Sequence, residues 1–394
     1  MATLLLILIY ICFISLGLPD SLLGAAWPDM HAALGADVSW AGAVTLLVTC
    51  CTVVSSLLST RLIRRFGTGA VTAVSVAMTA AGLFGIAATG SFWFLFVCAE
   101  PHGLGGGSVD AALNNYVALH YEARHMNWLH CAWGVGATAG PSVISFWLAR
   151  GATFRTGYVS IAAFQSALVL VLVLTLPLWK KAAEQTRPED ACAPQTALKL
   201  RDAVRLPGAK GILTALFCYC GLEYAAGLWG GSYASVRYGV TAETAAAWTA
   251  LFYFGITAGR FVCGFATMKI KNRTIIRMGQ GAVFLGAAML LLPLGMWKLP
   301  AALTLIGLGC APIYPGLLHQ TPENFGPAVS QAMMGVQMAA AYVGSTLLPP
   351  LLGLLFGRVS MGFFPAALLT LIAVMTLCTE RAARRRNDVL SGKE

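Results

Sequence analysis

The chain has 394 residues, of which 58% are hydrophobic and 11% charged, with a formal net charge of +10. Soluble domains carry roughly a quarter charged residues, so this composition cannot build a water-facing surface of ordinary size, and lipid is the solvent for most of the protein. The basic excess therefore suits anionic lipid headgroups rather than nucleic acid.

A bilayer crossing needs about 20 mainly apolar residues, because 1.5 Å of helical rise per residue must cover roughly 30 Å of hydrocarbon. Runs of low charge predict twelve spans. The first covers 4–30; it lacks a basic leader and runs on through Pro19, Asp20 and Trp27, so it reads as a helix and not as a cleaved signal peptide. The second (38–60) and third (68–90) are joined by a short loop bearing Arg61 and Gly67. The fourth (92–116) carries Glu100 and Asp110. Gly106, Asp110 and Asn114 share one face at helical spacing. The fifth (127–149) places Asn127, His130 and Gly134 on one face, at a depth similar to Asp110, and the sixth covers 156–179. A charged, proline-bearing segment at 180–210 follows and reads as a linker. The seventh span (211–236) carries Glu223 and Trp229, the eighth (243–268) Arg260, the ninth covers 274–296, and the tenth (299–319) includes Tyr314. Spans at 327–354 and 360–379 and a basic tail at 381–394 complete the chain. The expected domains are an amino-terminal bundle at 1–179, the linker, and a carboxyl-terminal bundle at 211–380.

Of the 26 Lys and Arg residues, Arg150, Arg155, Arg237, Lys298 and Arg358 fall in loops of one parity and Arg260 inside a span. The rest share the other side, which predicts that both termini are cytoplasmic, in a bacterial-type inner membrane. The eleven cysteines show no metal-ligand or paired spacing, and no phosphate-binding loop or hydrolase motif occurs. Neither catalysis, a metal nor a cofactor is expected.

The two bundles echo each other at a nearly constant offset. Asp20 and Gly24 correspond to Glu223 and Gly227, Gly103-Leu104-Gly105 to Gly307-Leu308-Gly309, and Pro141 to Pro349. Such duplication marks transporters that rock one repeat against another. An ionised side chain near the bilayer centre costs roughly 2.5 to 3.5 kcal/mol on insertion scales, so each needs a reason to be there. Asp20 and Asp110 are the candidate proton carriers. Arg260 has Glu223 as its nearest counter-ion, a pair that either pins two helices together or serves function. Glu100, beside Pro101, is a weaker candidate for the same structural role.

With these residues in view, the chain resembles the major facilitator superfamily along essentially its whole length. Its first-span stretch Leu18 to Pro28, the fourth-span run Gly103-Leu104-Gly105 with Val109-Asp110-Ala111-Ala112-Leu113-Asn114-Asn115, Met126 to His130, and Tyr219 to Glu223 are similar to the fucose/galactose/glucose-proton symporter branch. The resemblance implies an all-α fold of two six-helix pseudo-repeats and a carboxylate at Asp110 that couples transport to protons. The gating loop of the superfamily normally has an acid where Thr60 stands, while Arg61 and Gly67 match. Gly136 to Pro141 is instead similar to a signature of drug-proton antiporters.

The leading expectation is a proton-coupled symporter for a sugar or similarly polar small solute, working as a monomer in the lipid bilayer. Asp20 and Asp110 would take the proton. Asn114, Asn127 and His130 would meet solute hydroxyls from the amino half, with Glu223, Trp229 and Tyr314 opposite. An antiporter exporting amphipathic compounds and a non-transporting receptor of transporter ancestry are the alternatives.

Overall fold

Inside a bilayer no water satisfies backbone N–H and C=O groups, so a crossing segment must close its own hydrogen bonds. In the computed structural model, which describes residues 2–36, 40–185, 200–240 and 242–390, each predicted span is accordingly a helix or an interrupted helix, with no strand among the described residues. The fold is an all-α polytopic membrane architecture.

The first span is two helices, α1 (Ala2–Asp20) and α2 (Leu22–Ala33), broken at Ser21. Helices α3 (Ala41–Phe66), α4 (Thr68–Ala88), α5 (Phe92–His120), α6 (Ala123–Leu148) and α7 (Phe154–Leu174) form the next five. Gly67, at φ +80°, is the hinge that ends α3 and starts α4, a conformation that L side chains rarely adopt. Two short helices, α8 (Leu176–Gln185) and α9 (Leu200–Arg205), occupy parts of the predicted linker, and its residues 186–199 lie outside the described ones.

The second half has α10 (Ala209–Tyr238), α11 (Ala242–Ala266), α12 (Asn272–Met289), α13 (Lys298–Cys310), α14 (Ile313–His319), α15 (Thr321–Phe325), α16 (Pro327–Arg358) and α17 (Phe364–Leu390). The last four residues of the basic tail lie outside the described ones. The ninth span is shorter than its apolar run suggests. It stops at Met289 because Pro293 cannot continue a helix and Gly295 turns the chain at φ +70°. The tenth is interrupted near Pro312, between α13 and α14.

Among the described residues, nine stretches are long and apolar enough to cross a membrane by length and composition. The spans that fall short are α5, α6 and α12. Polar residues dilute them: α5 holds Glu100, Asp110, Asn114 and Asn115, and α6 holds Asn127 and His130.

The chain forms two compact units. The first comprises Met1–His120, Leu129–Ala197 and Gly326–Ala339; the second comprises Tyr121–Trp128, Leu198–Phe325 and Ala340–Glu394. Within the first, α5 packs on α3 and α4, and α4 on α7. Its core includes Leu22, Trp27, Met30, Leu95, Phe154 and Tyr158. Within the second, α13 packs on α11 and α12, and α10 on α17.

The repeated Gly-Leu-Gly triplets show how each trio is built. A Cβ on Gly103 would meet Cβ of Cys51 on α3 at 2.7 Å, and one on Gly105 would strike the Ser75 carbonyl on α4. A Cβ on Gly307 would strike the Phe252 carbonyl on α11, and one on Gly309 would meet Val283 N on α12 at 2.6 Å. In both units, then, the fourth span of the repeat touches the second and third backbone to backbone, which suits lipid, where dispersion rather than the hydrophobic effect drives helix association.

Candidate functional site

Proline places the first acid. Pro19 has no N–H for the carbonyl of Ser15 four residues back, and Nε2 of Gln165 on α7 donates to that carbonyl at 2.9 Å. Pro141 likewise releases the carbonyl of Ala137 on α6, which accepts from Ser21 Oγ at 2.6 Å. Helices α1 and α6 run close enough for this because Gly17 lies against the Trp133 carbonyl, Gly136 against that of Ile14 and Gly140 against that of Leu18. At this seam α1 ends, and Asp20, exposed, accepts a hydrogen bond from Trp133 Nε1 at 2.8 Å through Oδ2.

The second acid sits one helix away. Asp110, only 6% exposed, accepts from Asn114 Nδ2 at 2.7 Å through Oδ1. The same amide group also donates to the Asp110 carbonyl at 3.0 Å. Asn114 Oδ1 is then left to accept, and it lies 2.9 Å from His130 Nε2, which assigns the ring proton to Nε2. His130 in turn meets Phe13 edge-on at 5.5 Å between centroids. Asp110, Asn114 and His130 thus form one buried chain of hydrogen bonds across α5 and α6, and α5 also packs on α1, which carries Asp20. Trp133 and Asn114, which donate to the two acids, are both neutral.

In the second unit the arrangement differs. Arg260 on α11, 3% exposed, brings Nη2 to 3.7 Å from Glu223 Oε1 on α10. Beside them Tyr219 donates to the Cys310 carbonyl at 2.9 Å and stacks on Tyr314, with centroids 5.8 Å apart. Trp229 gives its indole N–H to the Pro349 carbonyl at 2.9 Å and packs edge-on against Phe356. Asn127, in the segment Tyr121–Trp128, is buried and donates to the Ala123 carbonyl at 3.0 Å.

The remaining sequence candidates lie elsewhere. Arg61 is exposed at the end of α3, and Glu100 is exposed on α5 beside Pro101. Among the described residues no cluster of side chains could hold a metal ion. Sequence reasoning did not assign Trp133 as the donor to Asp20, nor Gln165 as the donor to the carbonyl that Pro19 frees. The first had a signal, an indole in an apolar run at the depth of the acids. The second partner is 150 residues away and had none.

The model of the family described as Major Facilitator Superfamily matches residues 9–349. Among curated proteins, the Saccharomyces cerevisiae protein "Bypass of stop codon protein 6" is 21% identical over 401 residues, covering 93% of this chain and 80% of that protein. Among solved structures, FucP in the outward conformation aligns with a TM-score of 0.73 at 16% identity, over 96% of this chain and 98% of that one. The proton:xylose symporter XylE bound to 6-bromo-6-deoxy-D-glucose aligns with a TM-score of 0.72 at 11% identity, over 94% of each. The human organic anion transporter TETRAN gives 0.72 at 14% identity, over 96% of this chain and 98% of that one. At such identities these structures show the fold alone.

Proposed function

Because the chain belongs to the Major Facilitator Superfamily and is a transporter, we propose that it carries a sugar or similarly polar small solute together with a proton, by alternating access. The observation that carries this reading is that Asp20 and Asp110 accept from neutral donors, Trp133 and Asn114. A carboxylate held by neutral donors can accept a proton without stranding a counter-charge, and the hydrogen bonds it accepts weaken when it does so. Asp110 is joined through Asn114 to His130, so a proton arriving there is felt along the whole buried chain.

Symport of a polar solute has further support from two structural likenesses, to a fucose:proton symporter and to a proton:xylose symporter. Solute hydroxyls would be matched by Asn114, His130 and Asn127, with Glu223 and Tyr314 as polar and aromatic contacts. The loop charges favour cytoplasmic termini, with the proton entering from the opposite face.

The test is transport in right-side-out and everted vesicles, with a panel of labelled solutes, with and without a pH gradient. An inward proton gradient is expected to drive accumulation of a polar solute, with sodium unable to substitute. Solute-driven proton release in the opposite direction would establish antiport, and gradient-independent movement of every solute would overturn proton coupling.

A further inference from the structure

The turn of α5 that carries Asp110 also carries a second set of contacts. On its other side the structure brings in the start of α16. Asn115 Oδ1 accepts from Ser330 Oγ at 2.6 Å, and Gln331 Nε2 lies 3.3 Å from both the Ala111 carbonyl and Ser59 Oγ on α3. Both Ser330 and Gln331 are buried. A Cβ on Gly335 would strike the Ser56 carbonyl, so here α16 touches α3 backbone to backbone. Residues 326–339 of α16 belong to the first unit, and from Ala340 the same helix belongs to the second.

We propose that residues 110–115 of α5 are a transmission element, in which proton uptake at Asp110 loosens the neutral clasp that Ser330 and Gln331 make on Ala111, Asn115 and Ser59. The proposal rests on the proton-coupled reading above and names how that coupling is carried. Protonation removes the negative charge that strengthens the bond from Asn114 Nδ2 to Asp110 Oδ1, so Asn114 is held less tightly between the carboxyl and His130. Asn114 shares one helical turn with Ala111 and Asn115, the two residues that accept from α16. Any adjustment of that turn alters the clasp, and with it the hold on a helix that continues into the second unit. Ser330, Gln331 and Asn115 are thus positioning residues; none of them needs to touch the solute or the proton.

The clasp suits this task because it is weak and uncharged. Each neutral hydrogen bond favours the closed arrangement by a factor of about five, so two or three can be made and broken within a transport cycle. Ionisable groups on the helices around Asp110 include Asp20 on α1 and His130, linked to it through Asn114, on α6. Residues 52–59 of α3, all of α4 and residues 326–339 of α16 contain no ionisable side chain. Proton sensitivity of the clasp must therefore arrive through the α5 turn.

The experiment is hydrogen exchange of the peptide covering 326–339 in the full-length reconstituted protein, at mildly alkaline and mildly acidic pH, with labelling times matched to the pH dependence of chemical exchange. Acidification is expected to speed exchange roughly five- to tenfold in the wild type and not at all in Asp110→Asn. Ser330→Ala/Gln331→Ala should exchange at the fast rate at both pH values; Ser59→Ala, a milder change on α3, should lie between. A wild-type peptide indifferent to pH, a response retained in Asp110→Asn, or slow exchange in the double variant would each overturn the clasp. Gradient-driven uptake, measured in parallel, separates the two ideas. If Asp110→Asn still accumulates solute, proton coupling at Asp110 has failed. If that variant loses accumulation but the wild-type peptide does not respond to pH, only the clasp has failed.

Discussion

The two units hold the acids of their spans in opposite ways. In the first, Asp20 and Asp110 rest on an indole N–H and a side-chain amide. In the second, Glu223 faces the buried guanidinium of Arg260. Asp20 and Glu223 correspond in sequence, yet protonating Glu223 would remove the negative charge that faces a buried cation, whereas the donors to Asp20 and Asp110 carry no charge. Under the proposed proton coupling the two units divide labour: one holds acids that change charge, and the other sets its acid against an opposite charge.

Substitutions can break this contrast. The largest effect belongs to Asp110→Asn, which should abolish gradient-driven accumulation while sparing solute counterflow and leaving the melting temperature in detergent nearly unchanged. Arg260→Met should do the reverse. It removes the guanidinium that faces the half-buried Glu223, at a cost of about 3 kcal/mol, and the melting temperature should fall. Glu223→Gln/Arg260→Met should recover most of that loss, and a double-mutant cycle measures the coupling. An Arg260→Met protein as stable as wild type would show that the pair does not hold α10 to α11. Smaller still are the matched glycines. Gly103→Ala and Gly307→Ala should each destabilise by about 1–3 kcal/mol through overpacking, and by similar amounts. Gly106→Ala, whose Cβ would find Leu16 Cδ1 at 3.8 Å, should stay within about 0.5 kcal/mol of wild type.

Much of the architecture was readable because the bilayer imposes a length. A span must be about 20 residues whatever its sequence, and charge marks its ends. What hydropathy could not show were the interruptions: Ser21 after the first proline, the early stop at Met289, and the break near Pro312. These depend on single residues inside runs of unchanged polarity. The site divides similarly. Helical arithmetic alone sets Asp110 and Asn114 within reach, because residues four apart share a face. The contacts of Ser330 and Gln331 with α5 join residues more than 200 positions apart. An uncharged Ser or Gln near a helix start looks like an ordinary solvated end, so nothing in the sequence singles them out.

The glycine triplets carry one more implication. Where α5 meets α3 and α4, and α13 meets α11 and α12, main chain abuts main chain with no side chain between. Sliding there would need the helices to separate first, so each trio travels as a stiff plank. Bending is easiest where proline has already opened a helix, above all at the joint at Ser21, where freed backbone oxygens accept from side-chain donors instead.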